Sequence, residues 1–220
     1  MEKKQNIILN IMNILCIGFS LNITPNNDAL LQELYKNKNG FIIEAEETAL
    51  IEKEGGNSTY GEITDKGVQI LIDDLKLTKQ DIFYDLGSGV GRMVTKVYLD
   101  SPVKKSVGIE LSDSRHKQAL HIKKMLEKKD KLEKNRALQF KKENILKSDI
   151  DDATVIYLAS TCMSDEFMQQ ITDKLATLKK GLRVLTLRKL PEHQSFQLVK
   201  KYKIPMTWSK SVDVHLYKLK

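Results

Sequence analysis

The chain has 220 residues, 41% of them hydrophobic and only four proline, which supplies a core for one medium-sized domain and excludes a disordered protein. Its net charge is +7. Two cysteines with no C-x-x-C pair, and four histidines, exclude a disulfide framework and a structural zinc site.

Residues 1–24 put basic residues ahead of a largely apolar, uncharged run, "NIILNIMNILCIGFSLNIT". That pattern fits a secretory signal, an anchor contacting membrane through residues 7–24, or an apolar helix packed on the domain. Asn10 and Asn13 interrupt the run and no A-x-A cleavage site follows. The expected location is intracellular, with targeting as the alternative, and the expected state is a monomer.

"NITPNND" reads as a turn and N-cap before a helix in "DALLQELYKN", and "FIIEAEETALIEKEGGN" as a short element closed by Gly55 and Gly56. Residues 25–64 form an N-terminal helical lid region ahead of a main domain, 65–220. From Thr64, "TDKGVQILIDDLKL" places Val68, Leu71, Ile72 and Leu75 on one helical face. Strands and helices then alternate. "DIFYDLGSG" is a strand entering a glycine turn, "GRMVTKVYL" a helix, and "KSVGIELS" a strand. "DSRHKQALHIKKMLEKKDKLEKN" is a long basic helix, followed by the strands "ALQFKKENIL" and "DATVIYLAS". "SDEFMQQITDKLATLKKG" is a helix stopped at Gly181, and "LRVLTLRKLP" a strand. "FQLVKKYKIPMTW" and "VDVHLYKL" close the chain as an antiparallel pair. The prediction is an α/β fold: a doubly wound, mostly parallel, seven-stranded Rossmann-like sheet with an antiparallel C-terminal hairpin.

Residues 117–147 hold eleven Lys or Arg and four Asp or Glu, a local excess equal to that of the whole chain. Such a strip can face nucleic acid, an acidic protein or anionic lipid, but a solvated helix face explains it as simply. With no basic tail and no patch of interleaved aromatics, nucleic acid is a minor candidate partner.

In "DLGSGVG", Gly87, Gly89 and Gly91 let the backbone turn tightly and approach a ligand. Glu110 ends the next strand, where an acid binds ribose hydroxyls. Dinucleotide enzymes share both features. Asp85, standing just ahead of the glycines, would repel a diphosphate but pair with the ammonium of S-adenosylmethionine. The pattern therefore points to a methyltransferase. Upstream, "TYGEIT" admits two readings: a turn and cap for the helix from Thr64, or a segment folding over the cofactor, with Tyr60 covering it and Glu62 and Thr64 fixing polar groups.

From about Thr59 to the C-terminus, "TYGE", "LTKQDIFYDLGSGVGRMV", "VGIE", "VIYLAS", "LKKGLRVLTLRKL" and "MTWSKSV" follow in order the pattern of the disruptor-of-telomeric-silencing lysine methyltransferases. This resemblance is to class I, non-SET enzymes best known for modifying a lysine of the histone core. It implies that Tyr60, Glu62 and Thr64 belong to the covering loop, that Asp85, Gly87, Gly89 and Gly91 form the cofactor loop, and that Glu110 is the ribose acid. It further implies that Glu143 or Asn144 holds the adenine amino group and that Trp208 stands near the lysine channel.

Two departures fall on the acceptor side. Where the family has paired asparagines, this chain has Ala159, Ser160 and Thr161. A channel tyrosine is replaced by Val214, with His215 and Tyr217 close by in sequence. Ser160 and Thr161, at the end of the fourth strand, are the candidates for orienting the acceptor amine, or else caps of the following helix. The expectation is a lysine methyltransferase acting on a histone or another protein. The alternatives are methylation of a small molecule or nucleic acid, and a non-catalytic cofactor-binding module.

Overall fold

A computed structural model describes residues 27–220. The apolar segment expected at residues 1–24 lies outside the described residues. Among those described, no helix is long and apolar enough to cross a membrane.

Seven strands form one sheet in the order β3-β2-β1-β4-β5-β7-β6. Strands β1 (Ile82–Leu86), β2 (Lys105–Glu110), β3 (Ala137–Lys142), β4 (Val155–Leu158) and β5 (Arg183–Thr186) are mutually parallel. Strand β7 (Ser209–Leu219) inserts antiparallel between β5 and β6 (Phe196–Met206), so the predicted hairpin closes the sheet. Sheet order reverses between β1 and β4, which opens a crevice at the strand ends.

Both faces are covered, as a parallel sheet requires. On one face Phe83, Val155 and Leu185 pack against Val68, Leu71 and Ile72 of α3 (Asp65–Leu75) and Met93 and Val97 of α4 (Arg92–Asp100). On the other, Tyr84, Ile156 and Val184 meet Met168, Ile171 and Leu175 of α6 (Asp165–Ala176). The period-2 alternation within β1 thus sends Phe83 and Asp85 to one side and Tyr84 and Leu86 to the other.

The predicted long basic helix is shorter than its charge pattern suggests. Helix α5 runs Asp113–Lys128 and ends where Asp130 adopts φ 52°. Asp130 N–H donates to Glu127 O at 3.1 Å and Lys131 N–H to Leu126 O at 3.0 Å, the paired bonds of a left-handed helix stop. Lys131, Lys134 and Arg136 therefore lie in a loop, and Lys141 and Lys142 on β3.

The N-terminal part is helical only in α1 (Asp28–Tyr35) and α2 (Ala45–Lys53); residues 54–63 cross the sheet ends as an irregular strap. Leu31 and Leu34 of α1 pack against Val94 and Tyr98 of α4. Polar bonds fix the same contact. Lys96, only 1% exposed, pairs with Asp28 at 2.7 Å and Asp100 at 2.6 Å, and the Tyr35 and Thr95 hydroxyls share a 2.8 Å bond.

Candidate active site

The glycine turn after β1 is tied to the end of β2. Gly87 and Ser88 N–H both donate to Ile109 O, at 2.8 and 2.9 Å, and Gly89 N–H donates to Glu110 Oε2 at 2.8 Å. Glu110 Oε1 accepts from Ser112 N–H at 2.8 Å. Positive φ at Gly87 (87°) and Gly89 (55°) explains the glycines. A Cβ at Gly87 would meet no protein atom within 4 Å, whereas one at Gly89 would stand 2.5 Å from the Tyr60 ring. Tyr60 thus lies directly on the turn.

Three acids converge here. Asp85 is buried, and its Oδ1 has no hydrogen-bond partner among the described residues. Burial, with Glu110 and Glu62 nearby, pushes its carboxyl up to about 8. Glu110 is also raised, chiefly by burial, against the lowering effect of Ser112 N–H and Arg115. An arrangement of this kind calls for a cationic ligand.

The strap roofs a cavity of about 440 Å³ bounded by Asp85, the glycine turn, Glu110 and Asn144 on one side and by Thr161 and Trp208 on the other. That size suits a cofactor-scale molecule. Tyr60 hydroxyl donates to Glu62 Oε1 at 2.5 Å, and its ring meets Phe41 edge-on, with centroids 5.1 Å apart. The far end of the strap is clasped by the β6–β7 turn. Thr207 N–H donates to Glu62 O at 2.8 Å, Glu62 N–H donates to Thr207 Oγ1 at 3.1 Å, and a Cβ at Gly61 would collide with Trp208 at 2.5 Å.

The geometry redistributes the roles expected from sequence. Tyr60, Glu62, Asp85, Gly87, Gly89, Glu110, Asn144, Thr161 and Trp208 all line the cavity. Ser160 does not. It is fully buried, its hydroxyl shares a 2.7 Å bond with Thr186 and accepts from Arg188 N–H at 2.9 Å, so it ties β4 to the end of β5 instead of facing an acceptor. Nor does it cap a helix, since Ser164 is the N-cap of α6.

Thr64 is likewise a cap and clasp. Its hydroxyl accepts from Gly67 N–H at 3.1 Å and donates to Pro205 O at 3.0 Å, which commits its only proton, and the residue is not on the cavity wall. Gly91 is required by packing, because a Cβ there would lie 2.4 Å from Phe140. Glu143 stays off the cavity wall, whereas Asn144 is on it, with its amide donating to Glu54 Oε2 at 2.6 Å. Val214 is a fully buried core residue and does not line this cavity.

Of the cavity residues given no role by the sequence reading, Tyr157 and Arg115 bear most on the chemistry. Tyr157 stands in register beside Asp85, inside the "VIYLAS" strand, where the sequence reading assigned it no role. Arg115 is 4% exposed and reaches the strap from α5; its only hint was a lone arginine in the first turn of a lysine-rich helix.

The strand order, the glycine turn after β1 and the acid ending β2 define the class I methyltransferase fold. Solved structures sharing it include an RNA methyltransferase from Salinibacter ruber crystallised with S-adenosyl-L-homocysteine, with TM-score 0.53, 19% identity, and coverage of 69% of this chain and 89% of that one. A putative methyltransferase from Escherichia coli gives TM-score 0.54 at 13% identity, covering 71% and 87% of the two chains. Within that class the chain belongs to the histone methylation protein DOT1 family, which it matches over residues 41–218. It is 34% identical over 142 residues to a Caenorhabditis elegans protein named histone-lysine N-methyltransferase, H3 lysine-79 specific, covering 61% of this chain and 15% of that protein. It is 32% identical over 130 residues to a Saccharolobus islandicus protein-lysine N-methyltransferase, covering 58% of this chain and 74% of that one. The matched region is thus a small part of the nematode protein and most of the archaeal one.

Proposed function

We propose that the protein transfers a methyl group from S-adenosylmethionine to a lysine side chain of a protein acceptor. The observation that carries this reading is the unpartnered, buried Asp85 carboxyl oxygen, with Glu110 and Glu62 as its charged neighbours. The fit is specific. Asp85 and Glu62 supply negative charge for an ammonium, and Glu110 lies at the strand end where ribose hydroxyls are bound. The open space over Gly87 admits the backbone approach of a ligand. Asn144 and Ile145 bound the end of the cavity suited to adenine. When bound, S-adenosylmethionine supplies an electrophilic methyl group on a sulfonium.

What the chain's own residues contribute is placement and exclusion of water. The strap, held by Thr207 and roofed by Tyr60, closes the cofactor side. The acceptor enters between the β4 end and the hairpin tip, where Tyr157, Ala159, Thr161 and Trp208 form a mixed wall. A free lysine amine has a pKa near 10.4, so about 3 units of deprotonation must come from the surroundings at neutral pH. Those partly apolar walls disfavour the ammonium, and the Thr161 hydroxyl is the exposed polar group positioned to orient the amine.

Protein lysine is the acceptor class favoured by membership of this family and by the names of both relatives. A histone need not be the target, because Ala159 and Thr161 give this chain its own acceptor wall. The test is incubation of the purified protein and tritiated S-adenosylmethionine with protein, RNA and metabolite fractions of a host lysate. Label on protein lysine is expected; label confined to RNA or metabolites would overturn the acceptor assignment.

A further inference from the structure

We infer that Arg115 is the positioning residue that locks the strap over the cofactor cavity, an inference that rests on the function proposed above. The middle of the strap is held by Tyr60 and by Arg115. No residue from Glu52 to Glu62 is fully buried, and apolar packing in this stretch is concentrated on the half-buried Tyr60. The strap's two ends are pinned by polar contacts, Asn144 to Glu54 and Thr207 to Glu62. Between them, one buried guanidinium gathers two distant backbone points. Arg115 Nε donates to Gly40 O at 2.8 Å, and Nη2 donates to Ser58 O at 2.7 Å.

The same guanidinium lies over the Tyr60 ring, 4.7 Å from its centroid. Tyr60 is therefore boxed in by Arg115, Phe41, the Gly40 backbone and Gly89. A Cβ at Gly40 would stand 2.1 Å from the ring, which shows how closely that backbone approaches. On its other side Arg115 offsets the charge of Glu110, whose oxygens are held by Gly89 and Ser112. One cation thus serves both the acid of the cavity floor and the roof above it.

This geometry demands arginine. A planar fork can satisfy two carbonyls in different directions while its face stays against a ring; a lysine ammonium keeps the charge but cannot do all three. Arg115 touches the strap and not the reacting atoms, so its loss affects cofactor retention more than the chemical step.

The experiment compares wild type, Arg115→Lys and Arg115→Met. Calorimetry measures S-adenosylhomocysteine affinity, steady-state kinetics separates cofactor KM from kcat, and hydrogen exchange follows residues 56–62 against β1 and β2. Arg115→Met should bind at least 30-fold more weakly and Arg115→Lys at least 5-fold. In Arg115→Lys, cofactor KM should rise by a similar factor, kcat should stay within 3-fold, and protection should fall in the strap but not in β1 or β2. Affinity within 2-fold of wild type in either variant would overturn the inference. So would loss of protection in β1 and β2 equal to that in the strap, or a fall in kcat without a rise in KM. A wild-type protein that binds no S-adenosylhomocysteine would instead overturn the cofactor reading itself.

Discussion

Asp85 and Tyr157 stand side by side in the parallel β1–β4 register, and no hydrogen bond joins the phenol to the carboxylate. The carboxylate in turn helps to hold the Tyr157 phenol in its protonated form, second to burial. Two polar groups left in this condition at a cavity wall are complementary to something that the protein alone does not supply.

The pH dependence of ligand-free stability should carry the mark of Asp85. Its carboxyl is raised from 3.8 to about 8 in the folded chain. Below pH 4 both folded and unfolded chains are protonated at this position. Between about pH 4 and 8 the unfolded chain releases the proton first, so this group makes folding progressively less favourable as pH rises through that window. Asp85→Asn should remove that slope and raise the ligand-free Tm at pH 8 relative to wild type. An unchanged Tm difference between pH 4 and 8 would contradict this assignment.

Cofactor binding should release a proton at pH 7. A cation placed against Asp85 favours the ionised carboxylate, so calorimetry in two buffers of different ionisation enthalpy should give proton release approaching one per ligand. Affinity should rise from pH 6 to pH 8. In Asp85→Asn both effects should vanish and affinity should drop at least 10-fold. Proton uptake, or none, would place the ammonium elsewhere.

Ser160 and Thr161, neighbours in sequence, should separate cleanly. Ser160→Ala leaves the Thr186 hydroxyl and the Arg188 N–H without their partner and should cost about 1–3 kcal/mol of stability. Thr161→Ala, at an exposed cavity position, should leave Tm within a degree or two and lower turnover about 10-fold, or about 1.4 kcal/mol of transition-state stabilisation. Denaturant melts and initial rates on the same samples decide the matter; the reverse pattern would exchange the two roles.

Trp208 is 47% exposed at the hairpin tip and packs on Gly61. If it guides the acceptor, Trp208→Ala should raise KM for the protein acceptor several-fold and leave S-adenosylhomocysteine affinity within about 3-fold. Equal loss of both would make it part of the strap clasp alone.

The centre of the sheet was legible in the sequence because β1, β2, β4 and β5 are short, largely apolar and set apart by turn or helix signals, whereas β6 and β7 were legible as a pair from their adjacency at the end of the chain. The glycine turn and Glu110 were legible because the ligand approaches backbone there, which restricts residue type at fixed spacing. Ser160 misled because sequence position at a strand end does not say which way a side chain points; here the hydroxyl turns inward to Thr186. Thr64 misled because a cap and a ligand contact draw on the same hydroxyl. Arg115 was invisible because what makes it matter, two carbonyls 18 residues apart in the chain, exists only in three dimensions. Helix α5 was overextended because lysine runs continue a helical pattern, and nothing in the composition marks Asp130 as left-handed.

The clasp between Glu62 and Thr207 joins residues near opposite ends of the described chain. Synthesis runs from the N-terminus, so Asp85, the glycine turn and Glu110 leave the ribosome long before the residues that hold the roof down. The chamber closes only when the last hairpin, which carries Thr207, has paired. To the extent that ligand affinity depends on the closed roof, stabilisation by cofactor reports on chains whose final strands have paired.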